Sequence, residues 1–275
     1  MIRRISMQAY LIAIDLDGTT LNNQSQLSPY TIQVLQQVRD MGHLVVIATG
    51  RPYRNSQQFY KAIDPQAPIL NLNGAYGHYP GRPNWQARYE AEVPRELALK
   101  IMDQSRDLGV SLVCAEGPGY VFVSSYDIPD SPFFQVDPND LTLMTPESLT
   151  FGPTSLSVFS TAETQESIKK LLLKEYGQQV DIDTWGGNLP FLEVVQKGVN
   201  KAYGIDRLAQ FYHIPNSHIM AFGDQHNDLS MIAYAGRGVA MANAIEPLKA
   251  IANDITSYTN DQDGLARYLV EFFKL

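Results

Sequence analysis

The first third of the chain alternates between two hydrophobic patterns. Short, continuously apolar runs predict buried strands at residues 10–14, 44–48 and 69–72. A helix is predicted between the first two runs, because Ser28 is a candidate N-cap, Pro29 stands at the first helical position and Gly42 ends the pattern. Continuously apolar strands that are separated by helices are typical of a parallel sheet covered on both faces.

The same alternation returns towards the C-terminus. Two apolar runs predict strands at residues 219–222 and 238–241, and an amphipathic pattern predicts a closing helix at residues 265–273. Asn200 and Asn227 are candidate N-caps of two helices in this region. Together, the two terminal regions predict an α/β core, a doubly wound parallel sheet assembled from two separate stretches of sequence.

The middle of the chain has a different pattern. A predicted helix followed by two neighbouring strands occurs twice, with helices at residues 94–109 and 168–176 and strands at 110–115, 120–124, 180–184 and 191–195. This order is typical of an α+β unit with an antiparallel sheet. We therefore expect two domains, with residues 1–82 and 193–275 forming the core and residues 83–192 forming an inserted domain.

Composition narrows the class of protein. The 275 residues exceed the roughly 100–200 of one typical domain, and 44% hydrophobic residues suffice for a sizeable core, which argues against disorder. The formal net charge of −8 argues against a nucleic-acid partner. No apolar run approaches the roughly 18 residues of a membrane helix, so we expect no membrane partner. Cys114 is the single cysteine and no secretory signal is recognisable, which predicts a cytoplasmic location.

The strongest chemical signal directly follows the first predicted strand. Asp15-Leu-Asp17-Gly-Thr19 places two carboxylates and a glycine turn where open α/β sheets bind ligands, beyond the carboxyl ends of the strands. A plain strand-end turn is the alternative, because Asp and Gly both favour turns. Carboxylates alone repel an anionic substrate, and Mg²⁺ is typically held by one or two carboxylates together with substrate phosphate. The motif therefore favours a magnesium site at Asp15 and Asp17.

A third carboxylate is expected from another strand end. Asp224 follows the predicted strand at residues 219–222 and is a candidate magnesium ligand. Asp228 stands one helical turn further on, where it can support a ligand rather than bind the ion itself. Asn227 is a candidate donor to a phosphate oxygen, and this role is compatible with an N-capped helix at the same position.

Two further positions offer phosphate-binding groups. Thr49 and Gly50 follow the second predicted strand, where a hydroxyl and free backbone N–H groups can cradle a phosphate. Lys201 opens the helix predicted after Asn200 and can neutralise phosphate charge. Each signal is weak alone, because Thr-Gly turns are common and most lysines are exposed on the surface. Their value comes from their combination with the aspartates.

The four motifs together resemble a known family. They follow the order of the haloacid dehalogenase (HAD) superfamily of phosphatases, specifically its Cof-type subgroup: Asp15-Leu-Asp-Gly-Thr19, Ala48-Thr-Gly-Arg51, Lys201 and Gly223-Asp-Gln-His-Asn-Asp228. Asn73-Gly-Ala75 is also similar to this subgroup. The resemblance covers essentially the whole chain, and the inserted region resembles the family's C2 cap domain in size and position. Thr20 and Ala202 depart from the pattern, which usually has an apolar residue and a glycine there.

The resemblance implies a mechanism. Asp15 would attack phosphorus and form an aspartyl-phosphate, while Asp17 would act as general acid and then as general base. Mg²⁺ would be held by Asp15, Asp224 and the backbone carbonyl of Asp17. The transferring oxygens would be held by Thr49, Gly50, Asn227 and Lys201. The implied activity is Mg²⁺-dependent hydrolysis of small phosphorylated metabolites, with sugar phosphates as expected substrates and the cap selecting among them.

Two alternatives stay open at this level. A phosphotransferase or mutase would use the same aspartyl-phosphate but pass the phosphate to an alcohol instead of water. A non-catalytic sensor would bind a phosphorylated metabolite without turnover, although a sensor has no need to keep both Asp15 and Asp17.

Overall fold

The computed structural model describes residues 9–129, 136–185 and 189–275. Its strands are β1 (Leu11–Ile14), β2 (Leu44–Ile47), β3 (Ile69–Asn71), β4 (Tyr76–His78), β5 (Tyr89–Glu90), β6 (Val110–Gly117), β7 (Tyr120–Val123), β8 (Leu141–Leu143), β9 (Ser155–Ser160), β10 (Val180–Trp185), β11 (Phe191–Gln196), β12 (Ile219–Gly223), β13 (Arg237–Ala240) and β14 (Asp254–Ile255). Its helices are α1 (Pro29–Asp40), α2 (Tyr53–Ile63), α3 (Arg95–Asp103), α4 (Ser105–Leu108), α5 (Ala162–Tyr176), α6 (Lys201–Tyr212), α7 (Leu229–Tyr234), α8 (Glu246–Ile251) and α9 (Gly264–Phe273).

The chain packs as two compact units. The first unit combines Met1–Tyr89 with Asn200–Leu275, and the second is Glu90–Val199. The domain boundaries expected after residues 82 and 192 lie earlier in the chain than these divisions. A boundary after residue 192 would cut through β11, which forms six continuous residue pairs with β10 in the second unit.

The first unit contains a parallel sheet with the strand order β14-β13-β12-β1-β2. A further parallel bridge between Ala48 and Leu70 brings β3 to the outer side of β2. From β1 the chain moves outwards through β2 to β3, whereas from β12 it moves outwards in the other direction through β13 to β14. Right-handed crossovers in opposite directions place their helices on opposite faces of a sheet. The prediction of a doubly wound α/β core is therefore confirmed.

Two of the three predicted N-caps are confirmed. The Ser28 hydroxyl accepts a hydrogen bond from the Thr31 N–H at 3.0 Å, and the Asn200 side chain accepts one from the Tyr203 N–H at 3.1 Å. The predicted cap at Asn227 is wrong. A capping box begins at Gln225 instead, because the Asp228 carboxylate accepts the backbone N–H of Gln225 at 3.1 Å.

The second unit contains a six-stranded sheet with the order β10-β11-β9-β6-β7-β8. All its described strand pairs are antiparallel except β7 with β8, so the predicted α+β character is confirmed. One apolar core joins residues of this sheet, such as Val113 and Leu156, to Ile101 of α3 and Ile168 of α5. Within the described ranges of the chain, the helices are too short or too polar to cross a membrane.

Candidate active site

Two aspartates from distant parts of the chain meet at one edge of the parallel sheet. β1 and β12 are paired in register up to Ile14 and Phe222, so the residues that follow them leave the sheet side by side. The Asp15 N–H donates to the Phe222 carbonyl at 3.1 Å. The Thr19 hydroxyl donates to Asp224 Oδ1 at 3.0 Å and ties the turn after β1 to the turn after β12.

The turn from Asp15 to Thr20 has a fixed shape. Gly18 has a left-handed backbone, with φ at +71°, and a Cβ atom there would collide with the Asp224 carboxylate, so glycine is required. The Thr20 hydroxyl donates to the Asp15 carbonyl, and the Asn243 side chain donates to the Gly18 carbonyl at 2.7 Å. Thr20, which departs from the family pattern, therefore helps to close the turn that presents Asp15.

Lys201 is buried in the centre of this cluster. Its side chain has no exposed surface, and Nζ donates to Asp15 Oδ1 and to Asp228 Oδ1, both at 2.6 Å. Burial alone would lower the pKa of Lys201, but the two carboxylates outweigh this effect and raise the pKa above its usual value. Lys201 therefore binds two aspartates as an ammonium group, one in the turn after β1 and one in the turn after β12.

The aspartates outnumber the positive charge that balances them. Asp15, Asp224 and Asp228 are all buried and each offers an oxygen within 4.8 Å of the others. Burial raises the pKa of Asp15 well above its usual value, against the effect of Lys201, and neighbouring Asp228 adds to the rise. Burial raises the pKa of Asp224 to about 7, again with a contribution from Asp228. One ammonium cannot neutralise three carboxylates, so further positive charge would stabilise this cluster.

The donor set fits a hard divalent cation. Both oxygens of Asp228 already have partners, since Oδ1 accepts from Lys201 and Oδ2 accepts the backbone N–H groups of Asp224 and Gln225. The second oxygens of Asp15 and Asp224 accept no hydrogen bond from the residues that the structure describes. Carboxylate oxygens are the ligands preferred by Mg²⁺, so Asp15 and Asp224 are the side chains suited to hold it. Asp228 instead orients the loop around them.

Asp17 lies in a different environment from Asp15, although only Leu16 separates them. Its side chain is exposed and both carboxylate oxygens accept from the Arg51 guanidinium, with Nε to Oδ2 at 2.7 Å. The Asp17 carboxylate therefore does not belong to the acidic cluster, and metal binding by its backbone carbonyl stays a prediction. Arg51 belongs to the motif after β2, but the sequence alone does not predict its pairing with Asp17.

The candidate phosphate-binding residues are also brought together. Thr49 is buried after β2, and its hydroxyl accepts the Arg51 N–H at 3.1 Å, so the turn at Gly50 is held closed. Asn227 donates from Nδ2 to Asn73 Oδ1 at 3.0 Å, and the Asn73 N–H donates to the Thr49 carbonyl at 3.1 Å. Asn73 links two predicted phosphate contacts, a role for which the only sequence signal was the Asn73-Gly-Ala75 motif.

Comparison with known proteins matches this geometry to a family. The model of the haloacid dehalogenase-like hydrolases matches residues 12–269. The chain belongs to this family. It is 36% identical to the 5-amino-6-(5-phospho-D-ribitylamino)uracil phosphatase YitU of Bacillus subtilis over 267 residues, covering 97% of this chain and 98% of the relative. It is 26% identical to the pyridoxal phosphate phosphatase YbhA of Escherichia coli, covering 96% and 98% of the two chains.

A solved HAD structure supports the same assignment. The HAD phosphatase BT1666 from Bacteroides thetaiotaomicron superimposes with a TM-score of 0.79 at 26% identity, covering 98% of this chain and 97% of that one. The resemblance stated from the four motifs is therefore confirmed, and this HAD protein is a phosphomonoester hydrolase. The roles of its individual site residues are a separate question.

Proposed function

We propose that this HAD protein hydrolyses small phosphorylated metabolites with Mg²⁺, through an aspartyl-phosphate on Asp15. The observation that carries the proposal is the buried contact of Asp15 with Lys201, beside Asp224 and Asp228. A buried nucleophile held by an ammonium has a fixed direction of attack. The surplus of carboxylates supplies the sites for a cation that also attracts a phosphate.

The first step transfers the phosphoryl group to the protein. An Asp15 oxygen forms a bond to phosphorus while the bond between phosphorus and the leaving oxygen breaks. Thr49, Asn227, Lys201 and the N–H of Gly50 hold the equatorial oxygens, on which negative charge is spread in the transition state. Mg²⁺, when held by Asp15 and Asp224, supplies charge neutralisation between these carboxylates and the phosphate. Water then attacks phosphorus, releases orthophosphate and regenerates Asp15.

Asp17 is the proposed acid and base in the two steps. It gives a proton to the leaving oxygen and later takes one from the attacking water. Because both Asp17 oxygens accept from Arg51, the carboxyl must turn away from the guanidinium before it can deliver a proton. Arg51 thus holds a resting position of the acid, outside the cluster that contains the nucleophile.

Small metabolites are the proposed substrate class. The names of the two relatives specify a phosphorylated ribitylaminouracil and pyridoxal phosphate, and sugar phosphates follow from the family resemblance. The second unit, which corresponds to the expected cap, is proposed to select the leaving group. The single cysteine, Cys114, is buried and forms no disulfide, which supports a reducing compartment such as the cytoplasm.

The test is phosphate release from p-nitrophenyl phosphate and from a panel containing sugar phosphates, pyridoxal 5′-phosphate and the phosphoribitylaminouracil. We expect turnover with Mg²⁺, loss with EDTA and recovery when Mg²⁺ is added back. No release from any compound with Mg²⁺ present would overturn the proposal. Transfer to an added alcohol in preference to water would assign a phosphotransferase instead, and binding without turnover would assign a sensor.

A further inference from the structure

We infer that Asn73 is a positioning residue that orients Asn227 and Thr49 towards the transferring phosphoryl group. This inference rests on the proposed function, because it assumes that these two residues contact the phosphate. Asn73 follows β3 and is buried, with 8% of its surface exposed. Its side chain lies beside Gly50, which belongs to the turn after β2. Its position joins the turn after β3 to the turns after β2 and β12.

The backbone at this position is held in an unusual conformation. Leu72 and Asn73 are consecutive non-glycine residues with left-handed backbones, at φ values of +50° and +51°. Such a conformation is rare for leucine in particular and persists only where the surroundings enforce it. The Asn71 side chain provides one such constraint by donating to the Arg51 carbonyl at 2.8 Å, and the Asn73 N–H provides another by donating to the Thr49 carbonyl. Strain of this kind concentrates at functional sites.

The next residue connects the same turn to the helix that carries Lys201. Gly74 packs so closely against the backbone carbonyl of Asn200 that a Cβ atom would collide with it, and the Cα of Lys201 is the next contact. Asn200 caps α6 and Lys201 is the first residue of that helix, so Gly74 packs against the N-terminus of α6. The turn after β3 therefore contacts Asn227, the backbone of Thr49 and the N-terminus of the helix that begins with Lys201, and all three of these residues are proposed to bind the phosphate.

The chemistry of asparagine suits this position. Asparagine tolerates the left-handed backbone better than most residues. The side-chain oxygen of Asn73 accepts a hydrogen bond from one of the two N–H groups on Asn227 Nδ2. This bond fixes the plane of the Asn227 amide and so sets the direction of its second N–H group. A donor that is oriented before the substrate arrives needs no reorganisation when charge develops on the phosphoryl oxygens.

The test uses Asn73→Gly, which keeps a left-handed backbone and removes only the amide. We expect kcat/KM for p-nitrophenyl phosphate to fall about 10- to 100-fold, with weaker competitive inhibition by orthophosphate and an unchanged thermal midpoint. In an Asn227→Ala background, the same substitution should change kcat/KM by less than about twofold, because the positioned group is already absent. His213→Gly is the matched control, since His213 has the same backbone conformation at the far end of α6 and should leave activity unchanged.

Other results would overturn the inference. A purely structural role would lower the thermal midpoint and leave orthophosphate inhibition as in the wild type. Fully additive losses in the double variant would show that Asn73 does not act through Asn227. If Asn73→Gly does not fold, Asn73→Ser also removes the amide oxygen that accepts from Asn227 and should weaken orthophosphate inhibition; unchanged inhibition would reject the role. An inactive wild type would instead refute the proposed function.

Discussion

The two units of the molecule use buried polar residues in different ways. In the first unit, two buried aspartates of the candidate site stand directly after strands, Asp15 after β1 and Asp224 after β12. In the second unit, buried polar residues stand inside strands, as Glu116 does in β6, Ser157 in β9 and Glu193 in β11. These aspartates lie at one edge of the first sheet, whereas the buried polar residues named in the second sheet lie on one of its faces.

Strand direction explains this difference. Parallel strands all end at the same edge of a sheet, so residues that follow them meet whatever their separation in sequence. Antiparallel strands run both ways, and side chains share a face only where the register aligns them. Ser157, for example, lies opposite both Cys114 and Glu193. The site of a parallel sheet can therefore be predicted from the residues that follow its strands, whereas a site on an antiparallel sheet cannot be predicted without the register.

The largest effect is expected from Asp15→Asn in the first unit. Turnover should fall at least about a thousandfold, because the amide cannot form the phosphoryl bond. The fold should be kept, because asparagine has nearly the size of aspartate and Lys201 keeps its contact with Asp228. Phosphate release and the thermal midpoint measure the two effects. Wild-type turnover in this variant would contradict the assignment of the nucleophile.

A smaller loss of rate and a larger loss of stability are expected from Lys201→Ala. The substitution leaves Asp15 and Asp228 buried without their ammonium partner, which typically destabilises a protein by about 3–5 kcal/mol. The rate should fall about 10²- to 10³-fold as phosphate stabilisation is lost. Denaturant unfolding and p-nitrophenyl phosphate turnover measure both changes.

Lys197→Ala provides the matched control for that variant. Lys197 pairs with Asp181 in the second unit, where both side chains are largely exposed, and such pairs contribute about 0–1 kcal/mol. Activity and stability should therefore stay close to those of the wild type. Equal effects of the two lysine substitutions would show that burial does not distinguish the sheet edge from the remainder of the protein.

The sequence predicted the part of the site that depends on strand direction. Asp15, Thr49 and Asp224 each follow a predicted strand, and the structure brings all three to one edge. The burial of Lys201 could be expected only from the family motifs, because isolated lysines are usually exposed. The mistaken cap at Asn227 shows the limit of local rules: Asp228 captures the backbone N–H groups, and the amide of Asn227 turns to Asn73.

Contacts that depend on long-range register or on short strands were missed. The strands β4, β5, β8 and β14 have only two or three residues each, too few for a hydrophobic pattern. The Arg51–Asp17 pair and the left-handed turn at Asn73 depend on how separate turns meet. Secondary-structure propensity depends on residues that are near in sequence, so it does not predict contacts between turns that are far apart in the chain.

The smallest effect on the chemical step is expected from Glu193→Gln in the second unit. Glutamine keeps the size of Glu193 and an oxygen that can accept the Trp185 Nε1–H, now bonded at 3.0 Å, so the fold should be unchanged. Turnover of p-nitrophenyl phosphate should change by less than about twofold, while relative rates on metabolites change by about tenfold if this sheet face selects the leaving group. Glu175→Gln is the control, because Glu175 pairs with Lys100 on the surface and should affect neither rate. A large loss of p-nitrophenyl phosphate turnover would contradict the division of labour, because the charge of Glu193 would then serve the chemical step as Asp15 does.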